Sequence, residues 1–351
     1  MIFFPIILYI ILFNSKGLSF RFFTNALQKV DVSYLGYIEN TFLPNYPLFN
    51  KWYVIAQLNE VPSNKPYNIR IFNKDLVLWK SNNRLSIVDN YCINRSSNNN
   101  SNKPVNKLLL PSPSQFANTC SFVVREQNNW VYILYNNSFS PLDNLIEEDE
   151  SFKIQFSRQY FNRIINQNYK IVCENLLDIL HIAYVNSLGP RDNLLPIFQS
   201  EPMKIQNNTF HWKMKYLYNS DIKSLANFFI TKKFVNVESE FILPNKIISR
   251  VILGKNIKTI VISALPINAY TTKLFIKIYR NYWFWNINLL DYLGAEFMAI
   301  FFSQMITENS NILKNIDLYS SIHNIHNINF TYDRFPLFYR DKLHYYQDYF
   351  N

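Results

Sequence analysis

Val172–Gly189 reads VCENLLDILHIAYVNSLG, and the reading of the whole chain turns on it. Asp178 and His181 stand three residues apart, so on a helix they share a face. A second histidine at the right spacing would complete two thirds of a 2-His-1-carboxylate facial triad, the usual non-haem Fe(II) site. The residue five places after His181 is Asn186. The stretch therefore predicts a metal-site helix with one ligand replaced.

The spacing is specific. E-N-x-x-D-x-x-H-x-x-x-x-H resembles the mononuclear-iron signature of Rieske-type oxygenases, with Glu174, Asn175, Asp178 and His181 at its positions and Asn186 where the last histidine belongs. The resemblance implies a role for Asp178 as the bridge between a cluster histidine of a neighbouring subunit and an iron-ligating histidine. It also implies a third iron ligand, an aspartate, on a long helix near the C-terminus in a pattern like E-D-x-x-x-L. The matching stretch is Thr307-Glu308-Asn309-Ser310-Asn311-Ile312-Leu313, which places Asn309 at the ligand position and Glu308 beside it.

Upstream, Trp52–Leu58, Tyr67–Phe72, Asp75–Lys80 and Arg84–Val88 are short runs of β-branched and aromatic residues bounded by turn formers. They predict a small antiparallel domain, with hairpin turns at Asn73-Lys74 and Ser81-Asn82-Asn83. The order W-Y-x-I-A, P-x-x-I-R-I-F-x-x-D-L-V-L-W-K, L-x-x-V-D-N-Y-C resembles the start of the Rieske domain in the same oxygenases. A cluster of that type needs two thiolates on one iron and two imidazoles on the other. The family supplies them as C-x-H-R and C-x-x-H. Here the first motif reads Cys92-Ile93-Asn94-Arg95, so Asn94 holds the histidine position. Cys120-Ser121-Phe122-Val123 is either a remnant of the second motif, or the hairpin is replaced by Ser96–Asn106 and Cys120 lies outside it. On both readings no histidine precedes His181, and three cysteines cannot make a four-thiolate cluster. The sequence thus predicts neither a [2Fe–2S] cluster nor mononuclear Fe(II), the two cofactors the resemblance would imply.

Asn128–Asn137 resembles the strand that closes the Rieske domain, and the acidic Leu145–Glu150 marks a boundary. The predicted domains are 46–144 and 151–351. In the second, Tyr160–Lys170 leads into the metal-site helix. Phe210–Leu217, Glu238–Leu243, Ile247–Leu253, Thr259–Leu265 and Thr271–Tyr279 then read as strands of one antiparallel sheet. Pro202, Pro244 and Pro266 are expected at strand ends. Leu289–Ile316 follows as a long helix, with Ala295, Met298, Phe301, Phe302 and Met305 at three-and-four spacing. The expected class is α+β: an all-β Rieske-like domain, then a helix-grip, START-like sheet around a long C-terminal helix. Arg280-Asn281-Tyr282-Trp283 and Asp333-Arg334 with Phe338-Tyr339-Arg340 resemble family landmarks in the same order. The resemblance spans Leu48 to Tyr346 and lies nearest the plastid branch of the family, the pheophorbide a and chlorophyllide a oxygenases.

The chain has 351 residues, 48% hydrophobic and 17% aromatic, enough for two real cores. Its net charge of +10 forms no stripe or recognised module, which argues against nucleic-acid binding. Cys92, Cys120 and Cys173 are too few and too scattered for a disulfide framework. Ile2–Phe13 is an apolar run too short to span a bilayer. It reads either as the core of a signal peptide, residues 1–19, or as a buried strand or helix of the fold. Residues 20–45 are basic, hydroxylated and free of acids before Asp31. A signal followed by such a segment resembles the bipartite leaders of proteins sent to plastids of red-algal origin, with the secretory route as the other destination.

His323 and His326 lie in a polar stretch without a third ligand and read as ordinary surface histidines. The lost ligands at 94, 186 and 309 are all asparagine, one base from His or Asp codons, as drift would leave them. The expected function is non-catalytic. The chain would bind an apolar or tetrapyrrole-like ligand, or serve as a subunit beside itself or intact Rieske oxygenase homologues, with peripheral membrane association allowed and no transmembrane helix. The alternative is a residual monooxygenase acting on a tetrapyrrole through a weakened Fe(II) site at His181 and Glu308.

Overall fold

The structure is a computed structural model, and it describes residues 51–63, 65–81, 84–90, 122–135, 157–178, 196–206, 209–217, 234–281, 288–314 and 334–350. All of them belong to one compact unit, Asn45–Asn351. Among the described residues it holds three antiparallel sheets, three α-helices and a 3-10 turn at Leu58–Glu60. No helix among the described residues is long and apolar enough to cross a membrane.

The N-terminal part holds two small sheets. β1 (Lys51–Gln57), β6 (Trp130–Tyr135) and β5 (Val123–Gln127) form one, in the order β1-β6-β5. β2 (Tyr67–Ile71), β3 (Lys74–Ser81) and β4 (Arg84–Asp89) form the other. The four upstream runs are therefore strands, as expected. The first hairpin turn falls one residue earlier than predicted, at Phe72-Asn73, because Ile71 pairs with Lys74. Phe72 and Asn73 have φ of 48° and 63°, and Asn128 and Asn129 between β5 and β6 have 49° and 64°. Two consecutive left-handed residues match the twist of a two-residue hairpin, and asparagine tolerates that region better than most residues. Phe72 takes it against its preference. Its ring is held against Tyr53 at 5.4 Å, Tyr135 at 5.6 Å and Tyr169 at 6.4 Å between centroids.

Every residue of β6 is buried, so alternation is lost. The cause is its place between layers. Lys277 and Lys246 of the large sheet lie over the Trp130 and Tyr132 rings at 3.7 and 5.8 Å, while Tyr53, across from Ile133, packs on the opposite side against Phe72.

The large sheet runs β7 (Ser157–Ile165), β14 (Thr271–Arg280), β13 (Asn256–Asn268), β12 (Lys246–Leu253), β11 (Phe234–Ile242), β10 (Thr209–Leu217), β8 (Pro196–Gln199), with β9 (Met203–Gln206) also on β10. The five predicted strands are all present. The edge strands β7, β8 and β9 add to them. Pro202 and Pro244 lie at strand ends, but Pro266 sits within β13, opposite Thr272, at a bulge before Asn268. Proline has no N–H to lose there, and a bulge is where a strand accommodates it. The carbonyls of Pro266 and Ile267 accept the N–H groups of Phe72 and Asn73, both at 2.9 Å. Backbone hydrogen bonds thus join the small sheets to the large one. One buried cluster runs from Tyr53, Ile55 and Leu78 through Trp130 and Ile133 to Ile248, Val261, Phe275 and Tyr279. Fully burying each such side chain contributes about 1.5–3 kcal/mol.

On the other side of the large sheet lie α1 (Tyr169–Leu177), α2 (Asn288–Leu313) and α3 (Arg334–Phe350). α2 is the long C-terminal helix expected from the sequence. Phe302 meets Phe161 of β7 at 6.2 Å, and Ser303 accepts from Arg163 at 3.0 Å. α3 was not foreseen; its Phe335 stacks on Trp212 at 4.8 Å, and Tyr339 packs edge-on to Phe241. The predicted α+β class and its order of parts hold.

Candidate functional site

α1 carries the first half of the quoted stretch. Asn168 caps it by accepting from the Lys170 N–H at 3.0 Å. Its side-chain amide donates to Ala269 O at 2.8 Å, and Gln167 donates to Leu313 O at the end of α2. Thr272 of β14 donates to Gln167 O at 2.7 Å. The entry to α1 is thereby tied to the β13–β14 hairpin and to α2.

The helix ends earlier than expected. Leu177 is its last residue, and Asp178 is its C-cap with φ −79° and ψ 91°, extended backbone. Asp178 therefore does not share an α1 face with a residue three places on; the continuous helix read through Val172–Gly189 is corrected here. Burial and the Asp178 carboxylate both push the Tyr216 phenol up.

Glu174 points into the protein rather than toward a metal. Arg340 of α3 grips it with both arms of its guanidinium, Nε to Oε1 at 2.5 Å and Nη2 to Oε2, each side chain only 15% exposed. A bidentate fork is the strongest partner a buried carboxylate can have. Burial pushes the Glu174 carboxyl up, while Arg340 and then Lys170 pull it back down, burial being the largest influence. Beside it Cys173 is fully buried, its thiol pushed up to about 12, and it hydrogen-bonds Tyr339. Tyr339 donates in turn to Pro244 O at 3.0 Å. Two of the sequence landmarks, Tyr339 and Arg340, are thus braces of α1. A third, Asn281, clamps the β12–β13 hairpin: it accepts from Ile257 N at 2.6 Å and donates to Lys255 O at 2.8 Å.

On α2, Asn309 lies in the buried stripe formed by Phe302, Ile306 and Leu313, and is itself 8% exposed. Glu308 lies off that stripe, half-buried, and accepts from Gln304 at 3.3 Å. Cys92, Asn94, Cys120, His181 and Asn186 lie outside the described residues, as do the boundary Leu145–Glu150 and His323 and His326. Among the described residues no three His, Cys, Asp or Glu side chains converge.

Residues 51–107 match the family model of the Rieske [2Fe-2S] domain. The whole structure superposes on dicamba monooxygenase bound to dicamba with a TM-score of 0.63 at 14% identity, covering 86% of this chain and 98% of that one. This chain has the fold of the Rieske oxygenases. Dicamba monooxygenase bound to 3,6-dichlorosalicylic acid gives a TM-score of 0.65 at 15% identity, over 86% of this chain and 98% of that one. The Rieske oxygenase fold is likewise shared with Pseudomonas putida CBB5 NdmA with caffeine, at 0.61 and 15% over 84% of this chain and 89% of that one. A comparison with curated protein sequences finds no match. Within the matched Rieske segment the chain has one cysteine, Cys92, and no histidine.

Sequence reasoning passed over the bidentate Glu174–Arg340 pair, although both residues had been singled out by motif.

Proposed function

We propose that this protein is a binding protein on a Rieske oxygenase scaffold, without the [2Fe–2S] cluster and without the mononuclear iron of that fold's enzymes. The donor set carries this reading. A Rieske cluster takes two thiolates and two imidazoles, and the chain offers no histidine before His181. Cys120 adds a second thiolate at most. At the mononuclear position His181 would stand with Asn186 and Asn309, one imidazole with two neutral amides. Fe(II) is low in the divalent affinity order and loses most from such exchanges. An iron held by His181 and Glu308 is not favoured, because Glu308 lies off the inward stripe of α2 and is bonded to Gln304.

What the scaffold retains is an apolar interior between sheet and helices. Dicamba monooxygenase and NdmA carry dicamba and caffeine, both flat ring compounds. The ligand proposed here is of that general shape: flat, apolar or tetrapyrrole-like, of the kind the plastid pheophorbide a oxygenases act on. The leader at residues 1–45 is proposed to direct the chain through the secretory route to a plastid. A subunit role beside an intact homologue is the second reading, favoured by the survival of the fold without its donors.

Anaerobic reconstitution of the purified protein with iron and sulfide is the test. The expected product is colourless and lacks a Rieske EPR signal on reduction. Two irons and two sulfides per chain would overturn the reading. In parallel, a thermal-shift screen of chlorophyll catabolites, haem precursors and carotenoid-like lipids is expected to give a saturable rise. A ligand at 100 times its Kd adds about 2.7 kcal/mol. A flat response from folded protein would leave the subunit role, tested by co-purification with an intact homologue.

A further inference from the structure

One face of the large sheet meets the helices and the other meets the small sheets. On β10, Phe210 and Trp212 pack on Phe338 and Phe335 of α3, so His211, Lys213 and Lys215 point to the other face. There the Trp130 and Tyr132 rings of β6 lie against Lys277 of β14 and Lys246 of β12. Among the described residues of β10 and β11, Ile242 alone joins the cluster shared with the small sheets. The rest of that face, over β8 to β11, is left uncovered.

An apolar row runs along it. Register sets Phe198 of β8 opposite Lys215, and Met203 of β9 opposite His211, both against the body of β10 rather than past its end. Ile205, two residues on from Met203, shares its side. Phe234 lies beside Lys215, whose Nζ stands 4.4 Å from its ring centroid. Phe198, Met203 and Ile205 are each more than half exposed, and Phe234 is 45% exposed. Single exposed apolar side chains are ordinary, but a group on one face marks a surface that something covers.

The charge around the row is positive. Glu238 is matched by Lys213 at 3.0 Å, Glu240 by Arg250 at 2.7 Å, and Glu201, between β8 and β9, by Arg334. Among the described residues Lys204 and Lys215 then stand in surplus. The backbone edge is a poor template for a further strand. β8 and β9 are four residues each, Pro202 separates them, and both slip register on β10. Short, irregular edges with proline and lysine resist strand addition. What remains is a side-chain surface, apolar with a lysine surplus, which matches a lipid interface with anionic headgroups.

We propose that the β8–β11 part of this face docks on a membrane surface carrying anionic lipid. Phe198, Met203, Ile205 and Phe234 enter the boundary between headgroups and acyl chains, and Lys204 and Lys215 meet the anionic headgroups. Docking of this kind neither requires nor excludes the ligand-binding function above.

Flotation of the full chain with phosphatidylcholine vesicles, with and without about one third phosphatidylserine, is the test. Recovery with the anionic vesicles is expected to exceed that with the neutral ones at least about fivefold and to fall as salt is raised. Phe198→Ser with Met203→Ser, and separately Lys204→Glu with Lys215→Glu, should each lose most of that recovery. These side chains lie at the sheet edge with little burial to lose, so both variants are expected to stay native by circular dichroism. Recovery that survives either pair of substitutions would overturn the proposal, by placing the contact in another part of the chain or on the membrane's apolar phase alone. Equal recovery with neutral and anionic vesicles would overturn it as well. So would no recovery with either; a dimer in sedimentation velocity that the serine variant dissolves would then assign the row to a second copy of the chain.

Discussion

A carboxylate enclosed as Glu174 is depends on its partner, because an uncompensated buried charge is costlier than no charge. Arg340→Ala should destabilise the protein by about 3–5 kcal/mol in urea titration. The double variant Glu174→Gln, Arg340→Met should recover most of that loss, since the pair itself contributes little net stability once both charges go. A double variant as unstable as the single one would show that α3 is held by the arginine's packing instead. Cys173, one residue earlier, gives a pH signature. Its thiol is buried beside Tyr169 and Tyr339 and pushed up to about 12 from its ordinary 9.0. A raised folded value means stability that is full below pH 9.0 and lost as pH climbs toward about 12, as the unfolded thiol ionises and the native one does not. Tyr169 and Tyr339 act with the same sign at higher pH, and Lys258 with the opposite sign. Comparing wild type with Cys173→Ala cancels those. The wild type should lose about 1.4 kcal/mol more than the variant between about pH 8 and about pH 10. Parallel pH profiles would mean that the thiol is hydrated.

Among the elements, the Phe72-Asn73 turn gives the sharpest contrast between backbone and side chain. A left-handed residue other than glycine costs about 1–2 kcal/mol, yet Phe72 joins Tyr53, Tyr135 and Tyr169 in one aromatic group. Phe72→Gly should therefore be destabilising by about 1–2 kcal/mol, the lost ring outweighing the relieved backbone. Asn73→Gly, at an exposed position with no such ring, should be neutral or stabilising by up to about 0.5 kcal/mol. Midpoints of urea unfolding distinguish them, and a stabilising Phe72→Gly would show that the ring does not hold the turn. The turn also shows where the sequence could be read and where it could not. The strands were legible because β-branched and aromatic runs are bounded by Asn, Pro and Ser. The turn register was not, because a phenylalanine gives no sign of a left-handed backbone. β8 and β9, four residues each, are too short for alternation to show. α3 carried a helical signal in Phe335, Tyr339 and Leu343, all buried at four-residue spacing. Pro336 and a tyrosine-rich tail of low helix propensity obscured it. At the site, the identities of the donors were plain in the sequence. The end of α1 at Leu177 was not, since the apolar run of Leu176 and Leu177 resumes at Ile179 and Leu180, past the C-cap Asp178.

At the scale of the molecule, the small sheets and the large sheet share one buried cluster, so neither can lose its packing alone. Calorimetry should show a single transition for the described unit, with calorimetric and van't Hoff enthalpies in agreement. Two resolved peaks would mean that the shared cluster contributes less than each part's own core. A related test concerns the proposed absence of the mononuclear iron. Asn186→His with Asn309→Asp should raise Fe(II) affinity well above either single change, because two imidazoles and a carboxylate are needed together. Small, additive effects in a metal titration would show that Asn309 is not the third ligand position. The joint between the sheets has its own bearing on how such a protein comes to exist. The peptide N–H groups of Phe72 and Asn73 donate to the carbonyls of Pro266 and Ile267. No side chain takes part in those two bonds, so substitutions that keep the turn and the bulge leave the joint whole. Metal donors of the kind proposed for positions 94, 186 and 309 are side chains that one base change can erase. Heritable shape resides in the main chain, which such changes do not reach, and so form outlasts chemistry by construction.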